Sequence, residues 1–171
     1  RMSWAKGIKQ FCEASDILRD KYPDVKFLMV GQEDTGSPDS VPKAYIENYQ
    51  QYKNLTHLGY RIDIKELYST CYLAVFPSYY REGGWPRGLT EPMAMGKPVI
   101  TTDNEHCSGA VIDGFNGLIV PIKDSKALAD GIEKLVNNEE MAKNFGEKSR
   151  EKALEVLNEE LIMQDLVKAI V

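Results

Sequence analysis

The chain has 171 residues, 43% hydrophobic and 27% charged, the size and balance of one globular domain able to bury a sizeable core. Its 26 acidic and 21 basic residues leave a net charge of -5 with no long basic run, which argues against a nucleic-acid partner but leaves room for a local pocket for one small anion. No apolar stretch approaches the ~18 residues that span a bilayer, and Cys12, Cys71 and Cys107 are odd in number and widely spaced, so neither a disulfide framework nor a zinc site is expected and a reducing, cytoplasmic setting fits.

Residues 1–6 read as a loop entering a first helix over residues 7–22, where Ile8, Phe11, Ala14, Ile17 and Leu18 recur at helical spacing. The first strand of a sheet is therefore expected just before Arg1, and the sequence reads as a piece of a longer protein. Lys-Tyr-Pro-Asp ends the helix ahead of a short apolar run over residues 25–30, closed by Gly31, which suits a buried strand. The alternation continues with a helix over 41–52, a strand at 55–58, a helix over 64–69 and a strand at 73–76. A loop rich in Gly and Pro follows, then a helix over 89–95, strands at 98–101 and 118–120, and amphipathic helices through the last 45 residues. Strands alternating with helices imply an α/β domain: an open parallel sheet of Rossmann-like type with helices on both faces. Ligands of such sheets sit beyond the carboxyl ends of the strands, which places the site among the loops 31–39, 59–62, 77–88 and 102–109.

The richest segment runs from Pro77 to Thr102. Gly83 and Gly84 let the backbone approach a ligand closely, and the amides that open the following helix, around Arg87, Gly88, Leu89 and Thr90, suit a phosphate. Glu91, about one turn on, suits a pair of vicinal hydroxyls such as those of a ribose. Alone, this is equally a surface loop feeding an ordinary helix. Arg1 and Lys6 flank a loop at a helix start, where two cations and helix amides would neutralise a departing diphosphate; as isolated residues they are two solvated charges.

Arg1 with Lys6-Gly7, Leu58-Gly59, Pro77-Ser78, Glu82-Gly83, the run from Glu91 to Thr101 and the segment Asp113-Gly-Phe-Asn-Gly-Leu-Ile-Val-Pro121 occur in an order and spacing that resemble the C-terminal domain of GT-B fold glycosyltransferases, the retaining group called family 4. The resemblance covers nearly the whole chain. It implies one nucleotide-sugar-binding domain over residues 1–171, half of a two-domain enzyme whose N-terminal domain would bind the acceptor. It further implies transfer of a hexose-type sugar from a nucleotide diphosphate donor, UDP by family weight, to a saccharide, lipid-linked or other hydroxyl acceptor. Configuration would be retained, and the longer protein would have possible peripheral attachment to the inner face of a membrane. Arg1 and Lys6 would hold the diphosphate, Glu82 would face the transferred sugar, Glu91 would hold the ribose, and Tyr60 and Arg61 would lie against the base. No Asp-x-Asp motif is present, so no metal and no cofactor are expected, and the cations and helix amides would do that work.

Three positions depart from the family pattern. Eight residues rather than seven separate Glu82 from Glu91, Pro92 follows Glu91 inside the expected helix, and Gly109 stands where a glutamate is common. An epimerase acting on a sugar nucleotide and a non-catalytic module of the same fold are the rival readings. His106 beside Cys107 is not read as a nucleophile pair or metal site, because adjacent residues rarely point at one target. His57 reads as structural, Met93 and Met95 as helix packing, Asp113 to Gly117 as a turn, and Trp85 as a lid over the sugar or as loop packing.

Overall fold

The structure, a computed structural model, describes residues 1–82 and 84–156. Its elements are α1 (Ile8–Arg19), β1 (Phe27–Met29), α2 (Lys43–Gln50), β2 (Leu55–His57), α3 (Ile64–Thr70), β3 (Ala74–Phe76), α4 (Arg87–Ala94), β4 (Val99–Thr102), α5 (Glu105–Ser108), β5 (Gly117–Val120), α6 (Ser125–Val136) and α7 (Glu139–Val156). Every expected strand and helix among the described residues is found, and all strand pairs are parallel. The expectation of helices beyond residue 156 lies outside the described residues.

The residue pattern explains the layering. Central strand β4, Val-Ile-Thr-Thr, is buried at all four positions because β3 and β5 cover its two edges and helices cover its two faces. Val99 joins Leu89, Met93 and Ala153 on the side of α4 and α7, whereas Ile100 joins Leu18, Leu128 and Ile132 on the side of α1 and α6. The alternation follows from the two-residue period of a strand. Leu89 and Met93, both fully buried, each contribute about 2 kcal/mol by apolar burial. Ile17, expected on the buried stripe of α1, is 46% exposed, because Ile8, Cys12 and Leu18 form the packed stripe instead.

The described strands lie in two parallel sheets: β1 pairs with β2, β3 pairs with β4 and β4 with β5, and β1 and β3 do not pair. The strand expected over residues 25–30 shrinks to Phe27–Met29, and Leu28 within it is 40% exposed. The loop 102–109 contains the short helix α5, opened by the Asn104 side chain, which accepts from the His106 amide at 3.2 Å.

Helix α4 begins at Arg87, two residues before its expected start, and tolerates Pro92 in its second turn. Proline removes the amide that would bond the Gly88 carbonyl four residues earlier. The Tyr68 hydroxyl donates to that carbonyl at 3.4 Å, and burial, with the nearby Glu91 charge adding to it, pushes the phenol up to about 12, so it keeps its proton. Among the described residues no helix is long and apolar enough to cross a membrane.

Candidate functional site

The chain folds so that Lys6 and Glu82, 76 positions apart, meet beyond the carboxyl ends of the strands. Residues Trp4–Lys6 form one 3-10 turn, ended by Gly7 at a φ of 75°. A Cβ on Gly7 would fall 2.1 Å from the Pro77 carbonyl oxygen, so glycine alone allows the turn to lie against the exit of β3. The Tyr79 amide then donates to the Ala5 carbonyl at 2.8 Å and locks the two segments together.

The Lys6 ammonium is ion-paired with the Glu82 carboxylate, with side chains 24% and 13% exposed. It also lies 4.8 Å from the centre of the Tyr80 ring and 5.8 Å from that of Phe76. Glu82 accepts a second hydrogen bond from the Ser78 hydroxyl at 3.2 Å. Ser78 is fully buried, and its carbonyl accepts from the Thr102 hydroxyl at 2.5 Å, while Asn104 Nδ2 donates to the Tyr80 carbonyl at 2.8 Å. The loop leading to Glu82 is thus pinned to β4 and α5.

Phe76 connects this cation to the helix that follows. A Cβ on Gly88 would come within 2.8 Å of the Phe76 ring, so α4 opens directly against the ring that Lys6 faces. Gly88 is therefore a close-packing glycine rather than an open one, while Gly84 has free space where a Cβ would be. The expectation for Leu89 and Thr90 is corrected. Their amides both donate to the Pro86 carbonyl, at 2.9 and 3.0 Å, because the first turn of α4 closes on that residue, and the Leu89 side chain is core. The amides of Arg87 and Gly88 have no acceptor among the described residues and are the ones open to an anion. Glu91 sits half-buried on α4 with no side-chain partner among the described residues. Gly83 lies outside the described residues.

The remaining candidates are more dispersed. Arg1 is ion-paired with Asp34 at 3.7 Å and its side chain is 67% exposed. Tyr60 lines a pocket of about 340 Å³ with Gly31, Gln32, Thr35, His57 and Gly59, at the carboxyl ends of β1 and β2. Arg61 does not line it, because Asp63 holds the guanidinium, with Nε donating at 2.8 Å. His57 Nε2 is bonded to the Gly31 carbonyl at 2.8 Å and fixes the wall of that pocket. Trp85 lies against α5: a Cβ on Gly109 would fall 3.1 Å from its indole nitrogen. Asn116, fully buried, ties residues 110 and 112 together, and Asp113 accepts from the Ile119 amide at 2.8 Å.

Sequence reasoning assigned no role to Ser78, Tyr80 or Asn104. Ser78 was visible only as half of a Pro-Ser pair, whereas Asn104 before Glu105 is an ordinary N-cap signal. His106 and Cys107 are not a reactive pair. Burial, with the Glu82 charge adding to it, pushes the Cys107 thiol up to about 11, and burial pushes Cys12 up to about 12. At pH 8 iodoacetamide is accordingly expected to modify half-buried Cys71 first, with Cys12 and Cys107 labelled only on unfolding, as peptide mass mapping would show.

The sequence matches the family described as Glycosyl transferases group 1 over residues 1–152. It is 31% identical, over 168 residues, to the N,N'-diacetylbacillosaminyl-diphospho-undecaprenol alpha-1,3-N-acetylgalactosaminyltransferase of Campylobacter jejuni, covering 98% of this chain and 42% of that protein. Among solved structures, sucrose-phosphate synthase from Thermosynechococcus elongatus superposes with a TM-score of 0.83 at 28% identity, covering 99% of this chain and 43% of that one. A complex of Staphylococcus aureus TarM that contains UDP gives 0.82 at 25% identity, covering 96% of this chain and 32% of that one. The chain thus spans less than half the length of these relatives. It belongs to the glycosyl transferases group 1 family, as a C-terminal domain of the GT-B fold.

Proposed function

We propose that this domain binds a nucleoside diphosphate sugar and that the longer protein containing it transfers the sugar, of hexose type, to an acceptor hydroxyl with retention of configuration. The observation that carries the reading is the meeting of Lys6 with the opening of α4 over the Phe76 ring, which joins a cation to the free amides of Arg87 and Gly88. A diphosphate placed there gains an ammonium and two backbone donors in a partly dehydrated corner, where such interactions are stronger than in water. Glu91, one turn further along α4, takes the two ribose hydroxyls, and the pocket lined by Tyr60 and His57 takes the base. TarM, solved with UDP, supports uracil as that base.

During transfer the bond between the anomeric carbon and the diphosphate oxygen breaks and its electron pair stays on the diphosphate. The acceptor oxygen bonds to the anomeric carbon and passes its proton to the departing diphosphate oxygen. Lys6 and the α4 amides, with Arg1 once released from Asp34, stabilise the growing charge without a metal. Glu82 competes with the diphosphate for Lys6, so donor binding frees its carboxylate to face the sugar. The acceptor is held mainly by the rest of the longer protein, and three free thiols favour its cytoplasmic placement.

Product analysis of the longer protein with UDP-sugars and a hydroxyl acceptor tests this. Free UDP together with a glycosylated acceptor is expected. Recovery of an epimerised UDP-sugar, or of unchanged donor from a folded protein, would replace the reading with an epimerase or a non-catalytic module.

A further inference from the structure

We infer that Asp39 is a positioning residue for the diphosphate: from the loop that walls the base pocket it caps the turn presenting Lys6, and so ties base recognition to the placement of that cation. The inference rests on the donor reading of Lys6 and names what holds that side chain in place. A helical turn leaves its first amides without partners, and a side chain just before it commonly takes one. In the turn Trp4–Lys6 that position is Ser3, whose side chain makes no such bond. Half-buried Asp39, 34 positions on from Ala5, fills the role instead. Its carbonyl accepts from the Trp4 amide at 2.9 Å, and its carboxylate Oδ2 accepts from the Ala5 amide at 3.1 Å. A hydrogen bond to a charged acceptor is the stronger kind. Asp39 is itself fixed by its amide, which donates to the Ser37 hydroxyl at 3.2 Å. Ala5 is therefore gripped from two sides, its amide by Asp39 and its carbonyl by the Tyr79 amide at 2.8 Å. Lys6 is the next residue, so both bonds set the direction in which its side chain leaves the turn, toward Tyr80 and Phe76.

The loop that carries Asp39 also builds the base pocket. Lying between β1 and α2, it contributes Gly31, Gln32, Glu33 and Thr35 to the pocket wall. Its two limbs hold the same short segment: the Met2 amide donates to the Gln32 carbonyl at 2.8 Å, and the Val41 amide donates to the Met2 carbonyl at 3.1 Å. A base seated in the pocket thus braces the loop from which Asp39 reaches the Lys6 turn. These other ties are backbone bonds and do not depend on the Asp39 side chain. The Trp4 ring also packs edge-on against Tyr45 of α2, with ring centres 4.8 Å apart, so loss of the carboxylate loosens the turn without releasing it.

The test uses the longer protein and compares its affinity for UDP with that for uridine, which lacks the phosphates. Asp39→Ala is expected to weaken UDP binding about 10-fold and to leave uridine binding within about twofold, because the pocket wall keeps its backbone bonds. Asp39→Asn, which retains an acceptor for the Ala5 amide, is expected to recover most of the UDP affinity. In a Lys6→Ala background, Asp39→Ala is expected to cause no further loss, since two residues that act through one group do not add. Should Asp39→Ala not fold, Asp39→Glu, whose carboxylate sits one methylene further out, takes its place with the same expected pattern. Equal losses of UDP and uridine, full additivity with Lys6→Ala, or unchanged UDP binding by the folded variants would overturn the inference and leave the donor reading standing. No UDP binding by the unaltered protein, or UDP binding indifferent to Lys6→Ala, would overturn both.

Discussion

Replacing Lys6 with alanine is expected to lower sugar transfer by the longer protein about 100- to 1000-fold, the usual loss when one donor to a developing negative charge is removed. Two effects act together. The diphosphate loses the ammonium placed over Phe76, and Glu82, only 13% exposed, loses its ion-pair partner and presents an uncompensated carboxylate to the incoming phosphate. Lys6→Arg is not expected to rescue the loss, because the larger guanidinium must fit between the Tyr80 ring, 4.8 Å away, and Phe76. Steady-state kinetics, with nucleotide affinity measured alongside, separate loss of binding from loss of turnover. A change within about threefold in a folded variant would remove Lys6 from the site.

Substituting Glu91 with glutamine is expected to weaken nucleoside diphosphate binding about 10- to 100-fold, because hydrogen bonds to a charged acceptor contribute roughly 1.5–3 kcal/mol each. Stability should hardly change, since Glu91 has no side-chain partner among the described residues and the α4 packing rests on Leu89 and Met93. The ribose assignment has its own signature. The 2′-deoxy nucleotide should bind the unaltered chain about as weakly as the ribonucleotide binds the variant, and both losses should not add. Full additivity would place Glu91 away from the ribose.

Much of the architecture was legible because it rests on local signals. Apolar runs closed by Gly31 and Pro77, and the helical spacing of Ile8, Ala14 and Leu18, follow the periods that burial imposes. The meeting of Lys6 with Glu82 was not readable from spacing, because it depends on Gly7 packing against Pro77 and on Tyr79 bonding Ala5. The family resemblance placed Lys6 at the diphosphate and Glu82 at the transferred sugar but said nothing of their pairing. The state of the α4 amides was equally hidden: a helix start suggests free donors at Leu89 and Thr90, yet the Pro86 carbonyl takes both. Pro92 looked like a conflict with the helix, and Tyr68, 24 positions earlier in sequence, resolves it by bonding the Gly88 carbonyl. Gly109, read as a missing glutamate, is the surface on which Trp85 lies.

Calorimetric titration of the folded chain, extended upstream of Arg1, with UDP, GDP and ADP tests the central claim most directly. The account predicts one saturable site for at least one of them, UDP by preference, with affinity that falls as salt rises and is lost with Lys6→Ala. No saturable binding of any of the three, or binding that Lys6→Ala and Glu91→Gln both leave unchanged, would contradict it.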